Sequence, residues 1–308
     1  MRAFLFPGQG SQAVGMGVAL AEASRAARDV FAEVDEALGQ NLFRLMREGP
    51  DEELKLTENA QPAIMANSMA VFRTIGVRVA DVADFVAGHS LGEYSALCAA
   101  GSFDLATTAK LLKLRGQAMQ QAVPVGQGAM AALLGADLAL AQKIAEAAAK
   151  GEVCTVANDN DPSQVVISGH KGAIDRAIAI AKDMGAKRAI PLPVSAPFHC
   201  PLMQPAAEAM RDALSYVVVQ VPAVPLYANV TAQAETDPDT IRNQLVEQVT
   251  GMVRWRESIS NMFDSGVHEF VEIGGKVLGP MVKRIVPDAT VTSAVSIEDI
   301  EALAKEIA

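Results

Sequence analysis

Apolar residues along this chain fall into short continuous runs separated by longer stretches with helical spacing. Ala3 to Phe6, Phe85 to Gly88, Leu226 to Asn229, Glu269 to Ile273 and Thr290 to Ser293 read as strands, the first two as nearly unbroken apolar runs of the kind buried on both faces. Between and after them, helical patterns cover Leu91 to Ala100, a segment capped by Asp104 and running to about Ala122, Leu202 to Tyr216, Thr240 to Val249, Trp255 to Ser265, Val277 to Ile285, and a last stretch from Ile297. This alternation predicts an α/β fold with a mainly parallel sheet covered on both sides. From Phe31 to Ile75 the chain reads as helix with polar breaks at Gly49-Pro50-Asp51 and Gln61-Pro62, and offers packing but no chemistry.

A different rhythm begins after Pro124-Val125-Gly126-Gln127-Gly128. Strand (Met130 to Leu134), helix (Leu138 to Lys150), strand (Val153 to Ala157), a polar turn (Asn158 to Pro162), strand (Gln164 to Ser168), helix (Ala173 to Met184) and strand (Arg188 to Leu192) follow one another. That β-α-β-β-α-β order is the ferredoxin-like arrangement. The reading is therefore a large α/β body formed by residues 1–126 and 197–308, with a ferredoxin-like subdomain at 127–196 inserted in it.

Composition narrows the function. The chain has 308 residues, half of them hydrophobic, enough to bury a large core. Against 26 Lys and Arg stand 36 Asp and Glu, a net charge of −10, with no basic run that would follow a phosphate backbone, so nucleic acid is not an expected partner. Three cysteines without C-x-x-C spacing suit a reducing compartment and argue against a structural metal. Pro7 and Gly8 break the N-terminal segment too early for a signal peptide, and no apolar run spans a bilayer, so a soluble, cytoplasmic protein is expected.

The candidate chemistry centres on Gly88-His89-Ser90-Leu91-Gly92-Glu93. A serine flanked two residues away by glycines, between a buried strand and a helix, is a nucleophile elbow, where a Cβ at 88 or 92 would collide with neighbouring backbone. Ser90 then sits at a helix N-terminus, where free N–H groups favour negative charge on a reacting oxygen. The loop Pro7-Gly8-Gln9-Gly10-Ser11-Gln12 follows the first strand, where open α/β sheets place ligands, and its glycines allow Gln9 to supply a wall of an oxyanion hole. Arg115 is anomalous: Leu111, Leu112, Ala118 and Met119 surround it at helical spacing, so it either snorkels to solvent or awaits a carboxylate. Of four histidines, His89 points away from its neighbour Ser90, His170 opens a helix and His268 begins a strand. His199, braced in Pro197-Phe198-His199-Cys200-Pro201, is left as the base.

Together with Gly8-Gln9-Gly10-Ser11-Gln12, Arg115-Gly116-Gln117-Ala118-Met119 and Gln248 ahead of Trp255, these motifs resemble the malonyl-CoA:acyl carrier protein transacylases along the whole chain. The resemblance implies an α/β-hydrolase-like large domain with an inserted ferredoxin-like subdomain and an active site between them. It implies Ser90 as nucleophile, His199 as base, Gln248 orienting His199 through its main-chain carbonyl, and N–H groups of Gln9 and Leu91 as the oxyanion hole. Arg115 would bind the malonyl carboxylate, and Phe198 would crowd a branched acyl group. The substrates would be malonyl-CoA and acyl carrier protein, with no bound cofactor, no metal and a monomeric enzyme. The family usually has a proline between the glycines of Gly274-Gly275, which this chain lacks.

Acyl carrier proteins are acidic as a family, so a protein of net charge −10 needs basic residues gathered where they dock; Lys187, Arg188, Lys276, Lys283 and Arg284 are the candidates. Two alternatives use the same residues differently. A thioesterase or other serine hydrolase would take His268 as base and Asp239 as its acid, and a non-catalytic acyl-binding module would keep Ser90 as a relic.

Overall fold

A computed structural model describes residues 1–307. Its strands are β1 (Arg2–Phe6), β2 (Phe85–Gly88), β3 (Gly128–Leu134), β4 (Cys154–Asp161), β5 (Gln164–His170), β6 (Arg188–Pro191), β7 (Leu226–Tyr227), β8 (Ala234–Glu235), β9 (Glu269–Ile273) and β10 (Thr290–Ala294). The larger sheet has the order β10-β9-β1-β2-β7-β8, parallel throughout except for the short edge strand β8. Side chains alternate across it. Phe4, Phe6 and Val86 face a core shared with the helices Thr57–Ile75 and Leu105–Ala122, whereas Ala3, Leu5 and Ala87 face Trp255, Ile259, Leu278 and Val282 of the helices Trp255–Asp264 and Leu278–Ile285. Both faces are covered, which is why β1 and β2 read as unbroken apolar runs.

The second sheet is antiparallel, in the order β4-β5-β3-β6. One face, with Ala131, Leu133, Val165 and Ile167, packs on the helices Leu138–Ala149 and Lys171–Ala181. The other, with Met130, Ala132 and Val166, joins the core of the larger body.

Three sequence expectations are corrected. Asn158 to Asp161 are not a turn: β4 runs through them, and only Pro162 and Ser163 turn the chain. Bulges at Val156/Asn158 and Asp159/Asp161 re-aim these polar residues, and Arg256 and Arg284 reach across from the larger body to the buried carboxylates of Asp159 and Asp161 (2.7 and 2.8 Å). Gln61-Pro62 does not break a helix either; Pro62 lies inside Thr57–Ile75. The strand expected to reach Asn229 ends at Tyr227, and β8 had no visible pattern at two residues long. Among the described residues no helix is long and apolar enough to cross a membrane, and no group of His, Cys, Asp or Glu side chains is placed to hold a metal.

Candidate active site

The site begins at the carboxyl end of β2, where the backbone turns through Ser90 at φ 55°, a left-handed conformation that a serine adopts only under constraint. The constraint is contact. A Cβ on Gly88 would lie 1.9 Å from the Gly92 backbone, and one on Gly92 would lie 2.2 Å from the Phe6 carbonyl oxygen of β1. Asn229, just beyond β7, brackets the turn: it accepts from the Ser90 N–H (2.8 Å) and donates to the Gly88 carbonyl (2.7 Å). In the sequence nothing marks Asn229 beyond its place at the end of a predicted strand.

His199 approaches from the loop after β6, also at positive φ, 56°. Its Nε2 is 2.7 Å from Ser90 Oγ, and its Nδ1 lies 2.8 Å from the Gln248 main-chain oxygen. A carbonyl can only accept, so Nδ1 carries the proton and Nε2 is left to accept from the serine hydroxyl. Burial, and secondarily the positive charge of Arg115, push the imidazole down to about 3, so it is neutral at rest. His268 lies elsewhere: its N–H bonds to the Met1 carbonyl at the opposite end of the parallel sheet. Asp239 is exposed and paired with Arg242.

Arg115 is 1% exposed and therefore does not snorkel. The helix Leu105–Ala122 meets the helix Thr57–Ile75 so closely at Gly116 that a Cβ there would lie 2.5 Å from Glu58 Cα. That approach brings Gln61 to Arg115: Nη1 donates to Gln61 Oε1 (2.7 Å), while Nη2 donates to Gln248 Oε1 (2.8 Å) and Ser90 Oγ (3.2 Å). Its Nε–H is buried without an acceptor. Gln61 in turn donates to Thr57 Oγ1 and Thr57 to Gln9 Oε1, each at 3.0 Å, tying the arginine to the loop after β1. Gln61 and Thr57 belong to the segment expected to carry packing alone, which corrects that reading.

A cavity of about 420 Å³ opens on these groups, lined by Gln9, Ser90, Leu91, Arg115, Phe198 and His199 on one side and Met130, Asn158, Leu192 and Val194 on the other. Leu91 immediately precedes the helix Gly92–Ala99, so its N–H lies outside that helix's own hydrogen-bond ladder. His89 does point away from Ser90, and its Nε2 lies 2.8 Å from Asn160 Oδ1 of β4. Of the basic candidates for docking, Arg284 holds Asp161, Lys276 holds Asp299 and Lys283 donates to main-chain carbonyls, whereas Lys187 and Arg188 have no side-chain hydrogen bond or ion pair among the described residues.

Residues 3–296 match the acyl transferase domain family. The malonyl CoA-acyl carrier protein transacylase of Escherichia coli K12 is 46% identical over 292 residues, covering 94% of both chains, and that of Bacillus subtilis 168 is 47% identical over 92% of this chain and 90% of its own. This chain belongs to the malonyl-CoA:acyl carrier protein transacylase family. Among solved structures, the acyl-carrier-protein S-malonyltransferase of Bartonella henselae superposes with a TM-score of 0.97 at 52% identity, covering 99% of each chain. A malonyl-transacylase in complex with a type II polyketide acyl-carrier protein superposes with a TM-score of 0.96 at 39% identity, over 99% of both chains. The match to these transacylases runs through both sheets, so the elbow and the residues around it lie inside the shared fold.

Proposed function

We propose that this chain moves the malonyl group of malonyl-CoA to the phosphopantetheine thiol of an acyl carrier protein by way of an ester on Ser90. The observation that carries this reading is the buried Arg115, which touches the serine oxygen and has amide and hydroxyl partners but no carboxylate bonded to it. Such a guanidinium suits an acyl group that brings its own carboxylate.

In the first half-reaction Ser90 Oγ attacks the thioester carbonyl and its proton passes to His199 Nε2, whose Nδ1–H stays on the Gln248 carbonyl. The oxyanion takes hydrogen bonds from the N–H groups of Gln9 and Leu91. Collapse breaks the C–S bond, the coenzyme A thiolate takes the proton from His199, and malonyl remains on Ser90. The carrier's thiol then runs the same steps in reverse. Gln248 takes the place of the carboxylate of the usual triad, so the imidazolium that exists between attack and collapse has no fixed anion bonded to it. Phe198 borders the acyl site and disfavours a branch beside the carbonyl.

The parallel order of the larger sheet and its serine turn support an α/β-hydrolase-like description, and the β4-β5-β3-β6 order with two helices on one face supports a ferredoxin-like one for residues 127–196. The carrier docks at the cleft between them, with Lys187 and Arg188 as the uncommitted cations, and the enzyme acts as a cytoplasmic monomer with no bound cofactor. A hydrolase using His268 and Asp239 finds no support, since neither approaches Ser90.

Incubation with radiolabelled malonyl-CoA is the test. Stable label on Ser90 that chases onto added carrier protein is expected; release as free malonate would establish a hydrolase, and no label at all a binding module.

A further inference from the structure

Glu93 has no part in the steps above, yet it is fully buried one helical turn from Ser90. Its Oε2 accepts from the Asn229 N–H and from Gln248 Nε2, each at 3.0 Å, while its Oε1 has no partner. Gln248 spans the gap to the arginine: the amide nitrogen faces the Glu93 carboxylate and the amide oxygen accepts from Arg115 Nη2 at 2.8 Å. Carboxylate, amide and guanidinium are thus strung in one line, and the amide's orientation is fixed because its N–H side must meet the acid and its oxygen the cation. The same residue holds His199 through its main-chain oxygen.

Arg115 faces Glu93 from the helix Leu105–Ala122, Tyr94 from Glu93's own helix, and His199 hangs on the far end of Gln248 as a neutral imidazole. Asn229, from the strand side, and Gln248, from the helix Pro238–Thr250, are uncharged. In the unloaded enzyme Glu93 is therefore, among the described residues, the carboxylate that offsets Arg115 across Gln248. A malonyl group on Ser90 brings a second carboxylate to the same buried cation, and two anions sharing one guanidinium in a dry site disfavour each other strongly.

We infer that Glu93 is the internal counter-charge of Arg115, relayed by the Gln248 amide, and that it takes up a proton from solvent when a malonyl group, but not an uncharged acyl group, is loaded on Ser90. The step balances as one solvent proton added to the Glu93 carboxylate, with no bond to substrate made or broken. Glu93 is thereby a positioning residue that exchanges its charge for the substrate's. Burial, opposed only in part by the Asn229 and Gln248 bonds and by Arg115, already holds this carboxyl up at about 7, where a nearby anion readily completes its protonation.

This inference rests on the malonyl-transfer reading, and the experiment separates the two. Acyl-enzyme on Ser90 is quantified by intact mass, while proton release or uptake is followed with a pH indicator in weakly buffered solution at pH 7.5, first with malonyl-CoA and then with acetyl-CoA. If no malonyl ester forms, the functional reading fails. If it forms, an excess uptake over the acetyl reaction of roughly half a proton per ester is expected for a shift of about one unit. Glu93→Gln should form the ester without the excess uptake. Equal uptake with both donors, or an excess that survives in Glu93→Gln, overturns the inference. Should that variant fail to fold, the infrared difference spectrum of the wild-type enzyme decides: a protonated-carboxyl band that grows on malonylation supports the inference, and its absence overturns it.

Discussion

The wall of the cleft that rises from the parallel sheet carries His199, Arg115, Gln248, Glu93 and Asn229, none more than 4% exposed and all joined by hydrogen bonds to one another or to the Ser90 turn. The facing wall, from the four-stranded sheet, presents Met130, Leu192, Pro193 and Val194, with Asn158 the polar exception. That second wall is tied to the larger body at several places: β4 exchanges main-chain bonds with Val253, its buried Asp159 and Asp161 take Arg256 and Arg284, Asn160 meets His89 beside Ser90, and Ser195 after β6 bonds to Gln120. One wall is thus a dense polar network around Ser90, and the other presents a mostly apolar surface across from it. Substitutions on the first should alter chemistry and charge selectivity; substitutions on the second should alter only which bodies fit.

The sharpest break comes at the nucleophile. Ser90→Ala should form no covalent adduct with malonyl-CoA, read by intact mass, and His199→Ala should slow acylation by about three orders of magnitude. Because burial and Arg115 hold His199 far below its ordinary range, wild-type acylation by acetyl-CoA, which leaves the charge on Glu93 unchanged, should stay flat on lowering the pH through about 6.5, where an ordinary histidine would gain its proton. Arg115→Ala should raise that titration and bring an acid limb back toward neutrality. A wild-type rate that already falls away near pH 6.5 would contradict the burial of the base.

Arg115→Ala should also lower the ratio of kcat/KM for malonyl-CoA over acetyl-CoA by roughly a hundredfold, since two charge-assisted hydrogen bonds contribute on the order of 3 kcal/mol. Lysine should restore only part, as a point charge cannot make a planar two-bond contact. An unchanged ratio would move malonyl recognition to another residue.

Much of the sheet wall could be read in the chain, and the reason is local. The Ser90 turn announces itself because Gly88 and Gly92 stand two residues either side of the serine within one strand-turn-helix unit, even though the backbone that Gly92 must clear belongs to Phe6 of β1, and Arg115 is conspicuous because its own helix supplies apolar neighbours. Gln61 was hidden for the opposite reason. Its partner is 54 residues away, its helix contains Pro62, and the close helix crossing at Gly116 that joins them leaves no periodic trace. Gln248 likewise shows nothing in its own neighbourhood and enters through family resemblance alone. On the other wall the Asn158 to Asp161 run has turn-forming composition, and pairing with β5, main-chain bonds to Val253 and the arginines of distant helices hold it as a strand.

Gln61 is accordingly the next test of the sheet wall. Gln61→Leu keeps the volume but removes the oxygen that accepts from Arg115 Nη1, freeing the guanidinium to swing from its set position. A loss of about 1.5 kcal/mol in malonyl transfer, roughly tenfold in the malonyl-to-acetyl ratio, is expected. Acylation by acetyl-CoA should be nearly unchanged, because Gln61 touches neither Ser90 nor His199. Equal losses with both donors would mean that Gln61 supports the fold of the site and not its selectivity.

The smallest effect belongs to the facing wall. Leu192 lines the cavity and is only partly buried. Leu192→Ala enlarges the space opposite Arg115 without breaking any hydrogen bond of the reacting groups. Bulkier acyl groups should gain against malonyl by about 1 kcal/mol, roughly fivefold in kcat/KM, by the same arithmetic that limits how well an apolar pocket discriminates one or two methylenes. The pH dependence of acylation and the malonyl-to-acetyl ratio should stay as in the wild type, since both are set by charges on the other wall. If Leu192→Ala shifts either of them, the two walls are coupled, and the natural route is the His89–Asn160 contact, which joins β4 to the residue preceding the nucleophile. Repeating the measurement in Asn160→Ala would then tell whether that single contact carries the coupling.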